Sequence, residues 1–247
     1  MRNLFWLMVG LSVLLLGAVG VPGEALAQAA EASIVVEDFE DYASGVPPYH
    51  WKRPHRKSRS LLDLPRVLER DDDYFEVVEE GGSKRARAYT NNESVQVVRL
   101  NGDGYQWDLS THPRLAWQWR AKRLPEGARE DKSKYNDAGA AVYVTFDSRD
   151  WLRRPRSIKY TYSSTLPVGT TARYGALRVI VVASGADGIG DWVRIERDVA
   201  ADFERLFKKK PAKPGLIMLW GDSDNTSSVS EVYFDDIELL ATADGRR

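Results

Sequence analysis

Apolar residues in this chain recur with a period of two. In Leu115-Ala116-Trp117-Gln118-Trp119-Arg120 the leucine and both tryptophans fall on one face, with Ala116, Gln118 and Arg120 on the other. That spacing is the pattern of a half-buried strand. Ser33–Phe39, Ser94–Leu100 and Val232–Leu240 alternate in the same way. The runs 139–146 (GAAVYVTF) and 176–183 (ALRVIVVA) are apolar on both faces and read as central strands. Gly81-Gly82, Asn91-Asn92, Asn101-Gly102, Asp187-Gly188 and Gly190-Asp191 punctuate these runs as turns. Many short strands with such punctuation predict an all-β protein, a jelly-roll-like antiparallel β-sandwich of the galactose-binding or carbohydrate-binding-module kind.

One helix is expected. Val199, Phe203, Leu206 and Phe207 share a helical face, Asp198 precedes them as N-cap, Lys208–Lys210 complement the C-terminal dipole, and Pro211 ends the segment.

The first 27 residues read as a secretory signal. Arg2 opens it, an apolar run follows from Leu4 to Val21, Pro22-Gly23 break it, and Ala25-Leu26-Ala27 forms a small-x-small cleavage site. An uncleaved anchor is the other reading of the run. Cleavage leaves residues 28–247 as one sandwich domain with a core of about 33–241, periplasmic or secreted and soluble. The chain has no cysteine, so core burial alone must hold the fold in a compartment that permits disulfides.

Composition removes several chemistries. Without cysteine there is no thiol nucleophile, thiolate zinc site or lipid-modified thiol. A net charge of −1 gives no general pull toward nucleic acid. The three histidines, His50, His55 and His112, form no metal-binding motif. Gly221-Asp222-Ser223 imitates a serine-esterase block, but no histidine follows to act as base. The basic loop Lys52–Arg59, flanked by Tyr49 and Trp51, can bind nucleic acid or an anionic polymer, or be a solvated loop balanced by Asp71–Asp73, which is the favoured reading. A second charged loop, Lys122–Asp137, is expected to be mobile.

Two clusters carry candidate chemistry. Asp222-Ser223-Asp224-Asn225-Thr226 offers oxygen ligands on a tight loop, either as a ligand or ion site or as a set of Asx turns. Asp38 and Glu40 near the first strand and Asp235 in the last can share a structural Ca²⁺, because first and last strands are often neighbours in a sandwich, or can simply form salt bridges to basic residues, which is the favoured reading. On the alternation of the last strand, Tyr233, Asp235, Ile237 and Leu239 share one face.

Spaced motifs along the chain resemble a bacterial family of secreted proteins, domain of unknown function 3047 (DUF3047). They are Leu115-x-Trp117-x-Trp119, Asn136-Asp137, Ala141-x-Tyr143-x-x-Phe146 and Ile158-Lys159-Tyr160, then Val181-x-x-Ser184-Gly185, Trp192 and the Arg197–Phe207 segment, and last Asp222–Thr226 and Tyr233-x-x-x-Ile237. The resemblance implies no activity. It directs attention to Asp137, Tyr160, Trp192, Arg197, Asp202, Asp222, Asp224, Asn225 and Thr226. The expected function is non-catalytic binding of an envelope glycan or similar polar ligand through Asp222, Asp224, Asn225, Thr226, Trp192, Arg197, Tyr160 and Asp137, with no nucleic acid partner. A carboxylate-dependent polysaccharide hydrolase or lyase and a structural envelope protein are the alternatives.

Overall fold

The computed structural model describes residues 33–55, 58, 60–68, 74–147 and 154–242. The expected signal, the run Asp71–Asp73, and Arg56, Lys57 and Arg59 of the basic loop lie outside the described residues. Among the described residues no helix is long and apolar enough to cross a membrane.

The described strands are, in order, β1 (Ser33–Glu37), β2 (Lys52–Pro54), β3 (Leu61–Asp63), β4 (Tyr74–Glu80), β5 (Ser83–Asn91), β6 (Ser94–Leu100) and β7 (Arg114–Arg123). They continue as β8 (Ala140–Phe146), β9 (Ser157–Ser163), β10 (Thr171–Tyr174), β11 (Leu177–Ser184), β12 (Val193–Asp198), β13 (Pro214–Asp222) and β14 (Val229–Leu240). The helix α1 spans Val199–Phe207. Asp198 caps it by accepting from the Ala201 amide at 2.8 Å, and Lys208 closes it in the left-handed region.

The strands form two sheets. A six-stranded sheet runs β12-β7-β14-β5-β4, with β1 also on β14, and an eight-stranded sheet runs β10-β11-β9-β8-β13-β6-β2-β3. The fold is therefore an all-β sandwich with one α-helix among the described residues. First and last strands pair, as expected. One pairing departs from the antiparallel rule: β11 lies parallel to β9, because β10 intervenes at the sheet edge and turns the chain back before β11 begins.

Alternation builds the core. Trp117 and Trp119 point inward from β7 and meet Tyr160 and Tyr162 of β9, with ring centroids 5.6 and 5.5 Å apart. Ala140, Val142, Val144 and Phe146 of β8 and Ile217 and Leu219 of β13 join the same core. The opposite parity of the eight-stranded sheet builds a smaller outer cluster, in which Ala138, Ala141 and Tyr143 are packed by Leu177, Met218 and Trp220.

The last strand corrects one expectation. Ser230, Val232, Phe234, Ile237 and Leu239 are its fully buried residues, so the inward parity changes between Phe234 and Ile237. A bulge against β7 at Asp235–Glu238, with Asp236 at φ +47°, absorbs the extra residue. Tyr233 and Asp235 therefore lie on the face opposite Ile237 and Leu239.

The loop expected to be mobile is held down instead. Glu130 is buried and accepts from Thr161 Oγ1 at 2.9 Å and Ser163 Oγ at 2.6 Å, both on the outer face of β9. The Tyr174 hydroxyl donates to the Glu130 carbonyl at 2.7 Å. Glu130 thus anchors the loop, while Lys122, Arg123, Glu126, Arg129, Lys132 and Lys134 stay exposed.

Candidate ligand-binding site

The outer face of the eight-stranded sheet carries a cleft of about 360 Å³. Strand parity sets its floor. Tyr143 of β8 stands opposite Lys159 of β9, and Lys159 opposite Val179 of β11. Trp220 of β13 shares their side and stacks on Tyr143, with centroids 5.2 Å apart and planes 25° apart. Glu130, Asn136, Tyr174 and Leu177 form one wall, and Ser94, Asp222, Asp224 and Asn225 another.

The wall at Asp222 is built by Asp137, which is fully buried. Its carboxylate accepts from the Asn225 amide at 3.0 Å, the Thr226 amide at 2.7 Å and the Thr226 hydroxyl at 2.6 Å. The Asp222 amide donates to the Ala138 carbonyl at 3.0 Å, and the Ser223 amide to the Glu93 carbonyl at 2.9 Å. Ser223 is itself buried with its hydroxyl directed at the Glu93 carbonyl. It closes the turn and is no exposed nucleophile. Turn and site are thus one structure: Asp137 fixes the loop backbone, and the loop aims Asp222, Asp224 and Asn225 at the cleft.

Charge in the cleft is concentrated and partly unanswered. Lys159 is buried. Burial works against its ammonium, but Tyr143, Asp222 and Glu130 outweigh that cost and raise its pKa. Burial pushes the Asp222 carboxyl up to about 7, opposed by Lys159 and reinforced by Asp137 and Asp224. Asp224 is raised in the same way, by burial and then by Asp137 and Glu93. Two buried polar atoms on the cleft have no hydrogen-bond partner among the described residues, the acceptor Asp222 Oδ1 and the donor Trp220 Nε1. Such atoms cost about 1–3 kcal/mol each unless a partner arrives.

Carboxylate oxygens of Asp137, Asp222 and Asp224 lie within 4.8 Å of one another, close enough to hold a cation. Asp137 already accepts three hydrogen bonds, and Lys159 supplies positive charge next to Asp222. Asp38, Glu40 and Asp235 form no such group. Asp38 accepts from the Glu40 amide at 3.2 Å, Glu40 from Ser83 Oγ at 2.8 Å and the Lys84 amide at 3.0 Å, and Asp235 from the Asp236 amide at 2.9 Å. The buried carboxylate of the first strand is Glu37, which takes Arg99 Nη1 at 2.8 Å, Trp51 Nε1 at 2.9 Å and the Tyr42 hydroxyl at 3.0 Å.

The structure brings together Asp137, Asp222, Asp224, Asn225 and Thr226 and separates the other expected site residues from them. Tyr160 lies in the core and donates to Asp202 Oδ2 at 3.2 Å. Arg197 grips Asp202 through Nε at 3.0 Å and Nη2 at 2.8 Å, and Arg205 adds Nη2 at 2.8 Å. These residues tie α1 to the sandwich. The guanidinium groups of Arg85 and Arg120 lie over the Trp192 ring, 4.8 and 5.1 Å from its centroid. Lys159, Tyr143, Trp220 and Glu130 were not singled out as site residues. Their signal is a lysine inside the apolar strand Ile158-Lys159-Tyr160 and the shared outward parity of positions 143, 159 and 220.

Comparison with known proteins places the chain further. The profile of a protein family of unknown function, DUF3047, matches residues 66–238. No curated protein matches the sequence. Among solved structures, the family 11 carbohydrate-binding module of the cellulosomal cellulase Lic26A-Cel5E of Clostridium thermocellum is similar at 10% identity, with 87% of this chain and 98% of that chain covered and a TM-score of 0.44. The family 30 carbohydrate-binding module of the cellulase Cel9D-Cel44B of the same organism is similar at 13% identity, 86% and 99% coverage and a TM-score of 0.42. The exolytic PL7 alginate lyase AlyA5 from Zobellia galactanivorans is similar at 10% identity, 83% and 99% coverage and a TM-score of 0.39.

Proposed function

We propose a function from one premise: this chain belongs to the DUF3047 family of proteins of unknown function. It is an exported binding protein of the cell envelope, periplasmic or secreted after removal of residues 1–27, and its outer-face cleft takes a glycan or similar polar ligand without turning it over. The observation that carries this reading is the stacked Tyr143–Trp220 pair beside the unpartnered Asp222 Oδ1 and Trp220 Nε1. An aromatic surface suits the apolar face of a sugar ring, and an orphaned acceptor and donor suit its hydroxyls. Lys159, Asp224 and Asn225 add further polar groups to the same walls. Calorimetric titration of the purified protein with neutral oligosaccharides tests it, and Trp220→Ala must weaken any binding seen.

A second reading is a carboxylate-dependent hydrolase or lyase. Asp222, pushed up to about 7 beside the buried Lys159 and Tyr143, is placed to exchange a proton near neutral pH. Against hydrolysis, the carboxylates of Glu130 and Asp137 are committed to hydrogen bonds within the fold. Asp222 and Asp224 approach within 4.8 Å, closer than the roughly 6.5–9.5 Å of inverting pairs and nearer the roughly 5–5.5 Å of retaining ones, so their separation opposes an inverting mechanism only. Release of reducing ends or unsaturated products from a polysaccharide, lost in Asp222→Asn, would establish this reading over the first.

A further inference from the structure

The β10–β11 hairpin separates two clefts. Tyr174, Leu177 and Val179 face the outer cleft just described. Arg173, Gly175, Ala176 and Arg178 face the other way, into a second cleft of about 930 Å³ beside α1, which contributes Phe203 and Phe207. Arg154 and Arg156, which precede β9, and Lys210 and Lys213, which follow the helix, complete its cationic lining. Asp147 is the one carboxylate among the lining residues.

Arg173 and Arg178 are direct cross-strand partners in the β10–β11 ladder. Like charges placed opposite each other on one face destabilise a sheet. None of the six cations makes an ion pair with a carboxylate among the described residues. Arg178 is instead held by the carbonyls of Gly175 and Leu177, at 2.9 and 3.0 Å. Burial, then the charges of Arg173 and Arg156, depress its pKa. The fold gathers positive charge here that no described carboxylate pairs with, an arrangement that an oxyanion between the strands would relieve.

We propose that this cleft is a second binding site, for an acidic oligosaccharide whose carboxylate or sulfate-ester groups lie between Arg173, Arg178 and Arg156 and reach Lys210 and Lys213. Arg178 and Arg156 lie over the Phe207 ring, 4.7 and 5.8 Å from its centroid, so guanidinium groups already occupy the aromatic surface. That favours a ligand carrying anionic groups over a nucleobase needing a bare ring to stack on. The cations also converge on one concavity instead of tracking a ridge, which suits a short anionic chain more than a nucleic acid backbone or a membrane surface. The site stands independently of the Tyr143–Trp220 cleft, since the two lie on opposite faces of the hairpin.

The test titrates the whole protein with an oligogalacturonate, a sulfated oligosaccharide of equal length, a neutral gluco-oligosaccharide, a single-stranded oligonucleotide and phosphatidylserine vesicles. At least one acidic oligosaccharide should bind. Its affinity should fall at least about tenfold as salt rises from about 0.05 to 0.5 M. The uronate and sulfate arms identify which anion is read. Arg173 and Lys210 are exposed, so Arg173→Glu with Lys210→Glu should cost at least about tenfold in affinity while leaving the melting temperature and any neutral-glycan binding unchanged. If that pair lowers the melting point, Arg154→Gln with Lys213→Gln replaces it, both residues being exposed. Undiminished binding by the folded variants, absence of any acidic-oligosaccharide binding, or binding confined to the oligonucleotide or vesicles would overturn the proposal.

Discussion

Asp137 receives both the backbone amide and the hydroxyl of Thr226, at 2.7 and 2.6 Å, and so fastens the loop after β13 to the chain entering β8. One buried carboxylate thereby determines where Asp222, Asp224 and Asn225 point. The cleft depends on this fastening before any ligand arrives.

Asp137→Ala should therefore destabilise the protein by about 2–4 kcal/mol, since it leaves buried donors without an acceptor. Thr226→Val removes only the hydroxyl bond and should cost about 1 kcal/mol. Urea denaturation of the two variants checks the order; equal and negligible costs would show that the loop is held some other way.

Glu130 makes the corresponding anchor on the opposite wall through Thr161 and Ser163. Glu130→Ala should cost about 2–3 kcal/mol and release the chain around it. Limited trypsin digestion should then cut at Arg129, Lys132 or Lys134 faster than in the wild type, ahead of global unfolding. An unchanged cleavage rate would contradict the anchoring role.

The pH dependence has a defined sign. The folded-state pKa of Asp222 lies above its unfolded value of 3.8, at about 7, so between these values the native state binds the extra proton. Its contribution is fully present below the unfolded pKa and is lost as pH rises through about 7. Asp222→Asn cannot ionise. Its stability advantage over the wild type should grow between about pH 4 and 7 and level off above that. Denaturation curves across this range give the difference directly; a flat difference would mean that Asp222 titrates normally.

Much of this architecture was legible in the sequence. Alternation around Trp117 and Trp119, the two apolar central strands and the Asp198 cap all correspond to observed elements. So does the Asp222–Thr226 loop, a turn whose Asp222, Asp224 and Asn225 also line a cleft. The parity change in β14 was not legible, because a single residue at positive φ inside Asp235-Asp236 leaves no mark on the hydrophobic pattern. The placing of Lys159 and Trp220 at a site was not legible, because a strand apolar on both faces reads as core, although one face is a second cluster opening on a cleft. The basic cleft was invisible for a different reason: its cations come from three separated segments, and the net charge of −1 averages them away.

Trp192 is the sharpest internal control. Its ring is covered by Arg85 and Arg120, and it does not line the Tyr143–Trp220 cleft. Trp192→Ala should leave oligosaccharide affinity unchanged in the same titrations that detect a loss in Trp220→Ala. A loss of affinity in Trp192→Ala would move the binding surface to the six-stranded sheet.

Calorimetric titration of neutral oligosaccharides into the wild-type protein and into Trp220→Ala tests the central claim most directly. Saturable binding by the wild type is expected, with a loss of at least about tenfold, or roughly 1.4 kcal/mol, in the variant and the fold intact by circular dichroism. Absence of binding to every neutral oligosaccharide tried, or equal affinity in the two proteins, would contradict it.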